Sequence, residues 1–357
     1  MEVSVIGASG YTGVELLRLL ALHPKAKVVG ITSEQSQGQS LTSVYPGFKG
    51  FFDHCPTLQA IGKPSGKDSW PGLDALLEKS KFFFTALPHG TAMNCVKYLR
   101  KKGAKVIDLS ADFRFDDVKT YESWYQKHEA PELLKEAVYG LPEFHRKKIQ
   151  KANLIATPGC YPTSAILALA PFLAKKMIDP SSIIIDSKSG ASGAGRGAKV
   201  DNLFSEIADS IRAYSIACHR HTPEMEQEMA KILGSPIKIT FTPHLIAASR
   251  GILTVAYGTL TQNVSAKELN QVAKDYYEKE NFIRVFDQES PLPAIRNVRG
   301  SYYCDLSIRL DERTNRLIVV SVLDNLCRGA SGLSVASMNL MNGYPEEMGL
   351  NQIPLFP

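Results

Sequence analysis

The chain has 357 residues, 44% hydrophobic and 22% charged, with a formal net charge of +5. That length suits two domains with separate cores, and the composition excludes a disordered or fibrous chain. The basic clusters Arg100-Lys101-Lys102 and Arg146-Lys147-Lys148 read as solvated helix ends, so no nucleic-acid-binding arm is expected. No apolar run approaches the ~20 residues that span a bilayer, and the start reads as a strand rather than a basic leader. The expectation is a cytoplasmic protein with neither membrane nor nucleic acid as partner. Six cysteines without a C-x-x-C pair favour reduced thiols and argue against a metal site.

Val3-Ser4-Val5-Ile6 reads as a strand running into Gly7-Ala8-Ser9-Gly10-Tyr11-Thr12-Gly13 and then an amphipathic helix. Glycines there allow a tight turn and bring backbone N–H groups close to a pyrophosphate. G-x-x-G-x-x-G is a weak signal alone, and a ligand-free turn reads the same way; its place between first strand and first helix favours a dinucleotide. A second strand, 27–32, ends in Thr32 and Ser33, with Glu34 only afterwards. NAD sites usually carry Asp or Glu at that end for the ribose hydroxyls. Hydroxyl groups instead accommodate a 2′-phosphate, which favours NADP. Strands 81–86 and 105–109 end at Pro88-His89-Gly90 and Ser110-Ala111-Asp112-Phe113-Arg114, with a helix near 92–101 between them. Such alternation implies a doubly wound parallel sheet with its ligand crevice at the carboxyl ends of the strands. Arg114 reads there as a phosphate or carboxylate clamp or as a surface ion pair, and His89 as a helix cap without chemistry.

A strand at 154–157 is stopped by Pro158-Gly159, and Cys160 precedes Pro162, which suits the first helical position, and the strong helix former 164–170. A cysteine at the positive end of a helix is stabilised as thiolate; a buried packing thiol is the other reading. After a strand at 182–186, residues 187–197 read as a loop too rich in Gly and Ser for a packed core. It is either an anion-binding nest reinforced by Lys188 and Arg196 or a flexible surface loop. Cys218-His219-Arg220-His221-Thr222-Pro223-Glu224 opens a helix to Leu233. H-x-H with one acid and no third histidine is a poor zinc signature, and acid/base work on a thiol suits it better, with His244 as competitor. Strands at 252–260, 302–310 and 317–322, with a helix near 266–278, predict a mixed or antiparallel sheet with a face suited to oligomerisation. Asp324-Asn325-Leu326 leads into a last helix ending at Met341. Packed back on the first domain, it would return Asn325 to the cofactor crevice; a free carboxyl-terminal helix is the alternative.

Taken together, residues 7–13, 110–114, 158–163, 189–196, 219–224 and 324–326 resemble the N-acetyl-gamma-glutamyl-phosphate reductase family over nearly the whole chain. The resemblance implies an α/β fold like that of aspartate-semialdehyde dehydrogenase. Residues 1–158 and 326–357 would form an NADP-binding Rossmann-type doubly wound parallel sheet, and 159–325 an α+β catalytic and dimerisation domain with a mixed sheet. It makes Cys160 the nucleophile and His219 the acid/base. It implies substrate contacts for Arg114, Ser189, Gly190, Arg196 and Glu224, the last either binding substrate or orienting a histidine. It puts Gly7, Ser9, Gly10, Tyr11, Thr12, Gly13 and Ser33 on the phosphates of NADP(H), Pro88 and Asn325 near the nicotinamide, and no metal. The implied reaction is reductive dephosphorylation of an acyl phosphate through a cysteine thioester, releasing inorganic phosphate, in a homodimer or homotetramer. Cys327-Arg328 departs from the pattern, where an apolar residue and Lys are expected. A reductase of a carrier-bound aminoadipyl phosphate and a non-catalytic NADP sensor are the alternatives.

Overall fold

Short hydrophobic runs build the first sheet of the computed structural model, which describes residues 1–55, 57–66 and 68–356. Its strands are β1 (Glu2–Ile6), β2 (Lys27–Ile31), β3 (Phe82–Thr85), β4 (Lys105–Asp108), β5 (Val138–Tyr139) and β6 (Leu154–Ala156). They are all parallel, in the order β2-β1-β3-β4-β6-β5. Strands covered on both faces read as continuous apolar runs, as Phe82-Phe83-Phe84 does. The chain leaves β1 toward β2 on one side and returns to β3 on the other, so the sheet has its switch point between β1 and β3. Helices α1 (Tyr11–Ala21), α2 (Leu41–Val44), α3 (Pro71–Leu77), α4 (Ala92–Lys101), α5 (Val118–Trp124) and α6 (Pro142–Ile149) accompany it. The sequence pattern misses α2, α3, α5 and the two-residue β5, which are too short to show a period, and marks α6 only by its basic end, Arg146-Lys147-Lys148.

The second sheet begins after α7 (Cys160–Ala174). Its strands are β7 (Ile184–Gly190), β8 (Ile211–Ala213), β9 (Thr240–Ile246), β10 (Ile252–Thr259), β11 (Ile283–Phe286), β12 (Cys304–Asp311) and β13 (Arg316–Leu323). Their order is β11-β12-β13-β10-β7-β9-β8, with two parallel pairs among antiparallel ones, a mixed sheet as expected. Helices α8 (Phe204–Ile207), α9 (Thr222–Leu233) and α10 (Ala266–Tyr276) complete this part.

Three local expectations change. Residues 187–190 are not loop but the end of β7, paired with β10 on one side and β9 on the other. Their small hydroxyls fit a buried strand because they find partners: Ser187 Oγ lies 2.8 Å from Thr254 Oγ1 across the sheet, and Ser189 Oγ donates to the Gly190 carbonyl at 3.1 Å. Helix α7 begins at Cys160, so Pro162 is its third residue, still in the first turn where a missing N–H costs nothing. It also continues past Pro171. Proline leaves the carbonyl four residues earlier without its helical donor; that carbonyl, on Leu167, accepts the Tyr277 hydroxyl at 2.7 Å. Every residue of α7 from Tyr161 to Leu173 is buried, which explains a helix apolar on all sides.

By contact the chain divides into two units, Met1–Pro158 with Ala330–Asn351 and Gly159–Gly329 with Gln352–Pro357. Residues 326–329 and the last segment therefore fall in the second unit. The last helix, α11 (Gly332–Met341), is part of the first. Within that unit His23 donates from Nε2 to Asn339 Oδ1 (2.9 Å), its tautomer set by the Lys25 and Ala26 N–H groups that Nδ1 accepts. Ser331 Oγ donates to the Thr12 carbonyl at 2.7 Å.

Candidate active site

Pro158 holds the preceding residue extended, and Gly159 follows with φ −69° and ψ 154° as the N-cap of α7. No side chain caps this helix. The half-buried Cys160 is its first residue, where the dipole and the first N–H groups favour a thiolate. Two glycines make room for it. A Cβ on Gly159 would stand 2.6 Å from His221 Nε2, and one on Gly329 would stand 2.7 Å from Cys160 Cβ. The turn is held from below by Glu224, fully buried in the first turn of α9, whose Oε1 accepts the Gly159 N–H at 2.7 Å. The Thr163 hydroxyl donates to the Gly159 carbonyl at 2.8 Å.

His219 lies in an aromatic cage, with ring centroids 5.6 Å from Tyr161, 5.5 Å from Tyr214, 5.3 Å from Phe241 and 4.9 Å from His221. Burial, and after it the Arg220 charge, push its imidazolium down to about 4, so the ring is neutral at pH 7. Its Nδ1 accepts the His221 N–H at 3.1 Å, which leaves the proton on Nε2. Tyr214 donates to the Tyr161 hydroxyl (3.1 Å), which donates to the His244 carbonyl (3.2 Å). Burial pushes the Tyr214 hydroxyl up to about 12, so it stays a donor at neutral pH. The His244 ring is engaged elsewhere: Nδ1 stands 3.0 Å from Asp186, an ion-pair distance without hydrogen-bond alignment. Lys188 also pairs with Asp186, at 2.8 Å.

Ser189 and Gly190 are buried at the end of β7, and Arg196 is exposed on the segment that follows. Asn325 ties that segment down. Its Oδ1 accepts the Gly251 N–H at 2.8 Å and its Nδ2 donates to Ser192 Oγ at 3.0 Å. Beside it the buried Asp324 accepts Arg250 Nη2 and the N–H groups of Leu326 and Cys327, each at 2.9 Å. The departure at Arg328 also has a local reason: its buried guanidinium stacks 4.2 Å from the Tyr302 ring centroid, which an ammonium cannot reproduce as well.

The first unit carries the glycine turn. Gly7, at φ +83°, lies so near the loop after β3 that a Cβ would stand 2.4 Å from the Ala86 carbonyl oxygen; at Gly13 it would stand 2.4 Å from that of Gly7. Gly10 caps α1 with no side-chain bond, and Tyr11 and Thr12 follow without an acid in the first turn. This cradle fits a pyrophosphate. Ser9 Oγ lies 2.6 Å from Ser33 Oγ, and Thr32 Oγ1 accepts the Gly7 N–H at 3.1 Å. Glu34 is turned away, its carboxylate taken by the Ile61 and Gly62 N–H groups at 2.8 and 3.3 Å. The strand end thus presents hydroxyls rather than a carboxylate. Pro88 is exposed in the turn after β3. His89 does not cap its helix but accepts the Ala111 N–H on Nδ1 at 2.9 Å. Arg114 does not lie at the surface: it is 5% exposed and donates to the carbonyls of Thr157 (2.7 Å) and Leu109 (3.1 Å).

Residues 2–152 match the family model of the semialdehyde dehydrogenase NAD binding domain, and 160–325 that of the semialdehyde dehydrogenase dimerisation domain. An N-acetyl-gamma-glutamyl-phosphate reductase of Geobacter sp. (strain M21) is 51% identical, with 100% of both chains covered. The enzyme of that name from Syntrophobacter fumaroxidans is 47% identical, again over 100% of each. The chain belongs to the N-acetyl-gamma-glutamyl-phosphate reductase family. Solved structures share the fold of these reductases at far lower identity. Aspartate semialdehyde dehydrogenase II of Vibrio cholerae, complexed with ASA, aligns at TM-score 0.71 with 17% identity, covering 96% of this chain and 98% of that one. The Candida albicans aspartate semialdehyde dehydrogenase with NADP gives 0.68 with 17% identity and the same coverage.

Within the second unit, the structure brings Cys160 together with Glu224 and His221 through Gly159, and His221 together with His219. Sequence reasoning misses Tyr161, Tyr214 and Gly329 around the thiol. The run Gly329-Ala330-Ser331-Gly332 is the one signal that could have found the last, since consecutive small residues mark a close approach.

Proposed function

We propose that this chain reduces N-acetyl-gamma-glutamyl phosphate to N-acetylglutamate 5-semialdehyde and inorganic phosphate with NADPH, a step of arginine biosynthesis. The observation that carries the reading is Cys160 at a glycine-capped helix start in a chain 51% identical, over its whole length, to a reductase of that name.

The Cys160 thiolate attacks the acyl carbon; a C–S bond forms and the C–O bond to phosphate breaks, the electron pair leaving with phosphate. The proton that the overall reaction consumes ends on that phosphate. Bound NADPH supplies hydride to the thioester carbon. We assign its phosphates to Gly7, Ser9, Gly10, Tyr11, Thr12, Gly13 and Ser33, and its nicotinamide end to Pro88 and Asn325. The hydroxyls of Ser9 and Ser33 and the diverted Glu34 support NADP over NAD. As the carbonyl oxygen gains charge, His219 serves as the acid, offering the Nε2–H of its neutral ring. Expulsion of the Cys160 thiolate releases the semialdehyde and restores the enzyme without a further proton.

Ser189, Gly190 and Arg196 are assigned to the anionic groups of the substrate. Glu224 acts through the backbone of the cysteine turn, and Arg114 through the carbonyls at two strand ends. The protein acts as a homo-oligomer, dimer or tetramer, through the outer face of the second sheet. There Val255 pairs with Val320 and Tyr257 with Ile318, all half-exposed. The six thiols suit the cytoplasm, and no described helix is long and apolar enough to cross a membrane.

Absorbance at the NADPH band, followed with N-acetylglutamate 5-semialdehyde, phosphate and NADP+, tests the reaction in reverse. Reduction of NADP+ that depends on phosphate is expected, faster than that of NAD+. Phosphate-independent or absent reduction rejects the reading.

A further inference from the structure

Two carboxylates, Asp108 at the end of β4 and Asp112 four residues on, are completely buried at the carboxyl edge of the parallel sheet. Among the described residues neither is ion-paired, and burying a carboxylate without a counter-charge is costly enough that packing alone does not account for it. Their partners show what the cost secures. Asp112 takes the Gly90 N–H on both oxygens, at 2.8 and 3.0 Å, and the Tyr121 hydroxyl on Oδ1 at 2.8 Å. Its own N–H donates to Ser110 Oγ at 3.1 Å, and Ser110 donates to Asp108, which also accepts Thr85 Oγ1 at 2.6 Å. His128 Nε2 donates to the Asp112 carbonyl at 2.7 Å, its tautomer fixed by the Ala130 N–H on Nδ1.

Asp112 is therefore gripped on all sides, and its outward contact is a single N–H in the turn after β3. That turn has little freedom of its own. Gly90 sits at φ +81° with the Gln126 side chain where a Cβ would go, and His89 Nδ1 adds a second tie, to Ala111. On its other flank the same loop touches the glycine turn, since a Cβ on Gly7 would meet Ala86 and Leu87. The Asp112–Gly90 contact itself joins the loop after β4 to the turn after β3, one of the two strands that flank the switch point.

We propose that Asp112 is a positioning residue for the reduction: through the Gly90 N–H it sets the Pro88-His89-Gly90 turn to receive the nicotinamide end of NADPH. Tyr121 holds Asp112 in turn. This rests on the assignment of NADPH to the first unit made above.

The test is direct titration of full-length protein with NADPH, by its fluorescence, without substrate. Asp112→Asn faces the Gly90 N–H or the Tyr121 hydroxyl with an amide donor. It should weaken NADPH binding about 10-fold and raise the KM for NADPH in parallel, leaving the KM for acyl phosphate and the rate of Cys160 alkylation by iodoacetamide unchanged. Tyr121→Phe, which keeps the ring, should act in the same direction by about 3-fold. NADPH binding as tight as wild type in Asp112→Asn, or in Tyr121→Phe should the first not fold, overturns the proposal. Equal losses in NADPH binding and Cys160 alkylation overturn it too, since they mark general unfolding. Wild-type protein that binds NADPH yet leaves acyl phosphate unreduced instead overturns the reading of the reaction, and the binding comparison still decides Asp112.

Discussion

Helices α1 and α7 both start at a glycine with extended backbone, Gly10 (φ −77°, ψ 162°) and Gly159 (φ −69°, ψ 154°), and neither start has a side-chain cap. Beyond that they differ. Helix α1 is amphipathic and follows a turn of glycines and hydroxyls, which suits an anion that must arrive and leave. Helix α7 is buried on every side, and the N–H of its N-cap is held by a buried carboxylate from α9. One device, the positive end of a helix, thus serves two purposes according to what surrounds it. An exchanging ligand needs open donors, whereas a nucleophile that must return to one place after each turnover needs a clamped turn.

The largest expected effect separates the two starts. Cys160→Ser should abolish reductase turnover while NADPH titration stays as in wild type; measurable turnover near the wild-type rate would remove α7 from the chemistry. On the same side, His219→Asn should slow turnover by roughly 100-fold. Because the ring is neutral down to about pH 4, the wild-type rate should show no limb near 6.5 from this group. A larger loss in His221→Asn than in His219→Asn would transfer the role to the ring that touches Gly159. At α1, Ser33→Asp places a carboxylate where the 2′-phosphate is assigned. It should cut the preference for NADPH over NADH by about 10-fold, with the Cys160 alkylation rate unaltered; an unchanged ratio of the two kcat/KM values counts against the assignment.

The smallest effect concerns the tie between the end of α1 and α11. Burial, partly offset by the Asn339 bond, lowers the pKa of His23 below 6.5. A histidine lowered on folding contributes stability that is present above its unfolded pKa and lost as pH falls through it. His23→Gln keeps a donor for Asn339 and cannot titrate. Its Tm should therefore drop less between pH 7.5 and 5.5 than that of wild type, and equal drops would show that the ring does not titrate with folding.

Much of this was legible because glycine and proline punctuate the chain where the chemistry sits. Pro158-Gly159 and the Gly7 turn mark a strand's end and a helix's start without any tertiary information. What stayed hidden depends on distant partners. Ser187 looks like loop until Thr254 supplies a cross-strand hydroxyl. Pro243 conceals β9, although its carbonyl still accepts the Tyr214 N–H at 3.1 Å. The bonds from Arg114 to the Thr157 and Leu109 carbonyls were hidden as well, because backbone acceptors leave no pattern. Glu224 could be placed near a histidine from sequence, but its bond to Gly159 spans 65 positions.

The Tyr277 hydroxyl on the Leu167 carbonyl bears on how the cysteine helix comes into being. Pro171 leaves that carbonyl waiting for a donor 110 residues further along the chain. A ribosome adding residues at ~5–20 per second delivers it many seconds after Cys160 has emerged. Until then the second half of α7 keeps a carbonyl that only water can satisfy, so it cannot be fully buried. The scaffold of the nucleophile is a late, non-local product of folding, and the reactive thiol acquires its final surroundings only when α10 has docked.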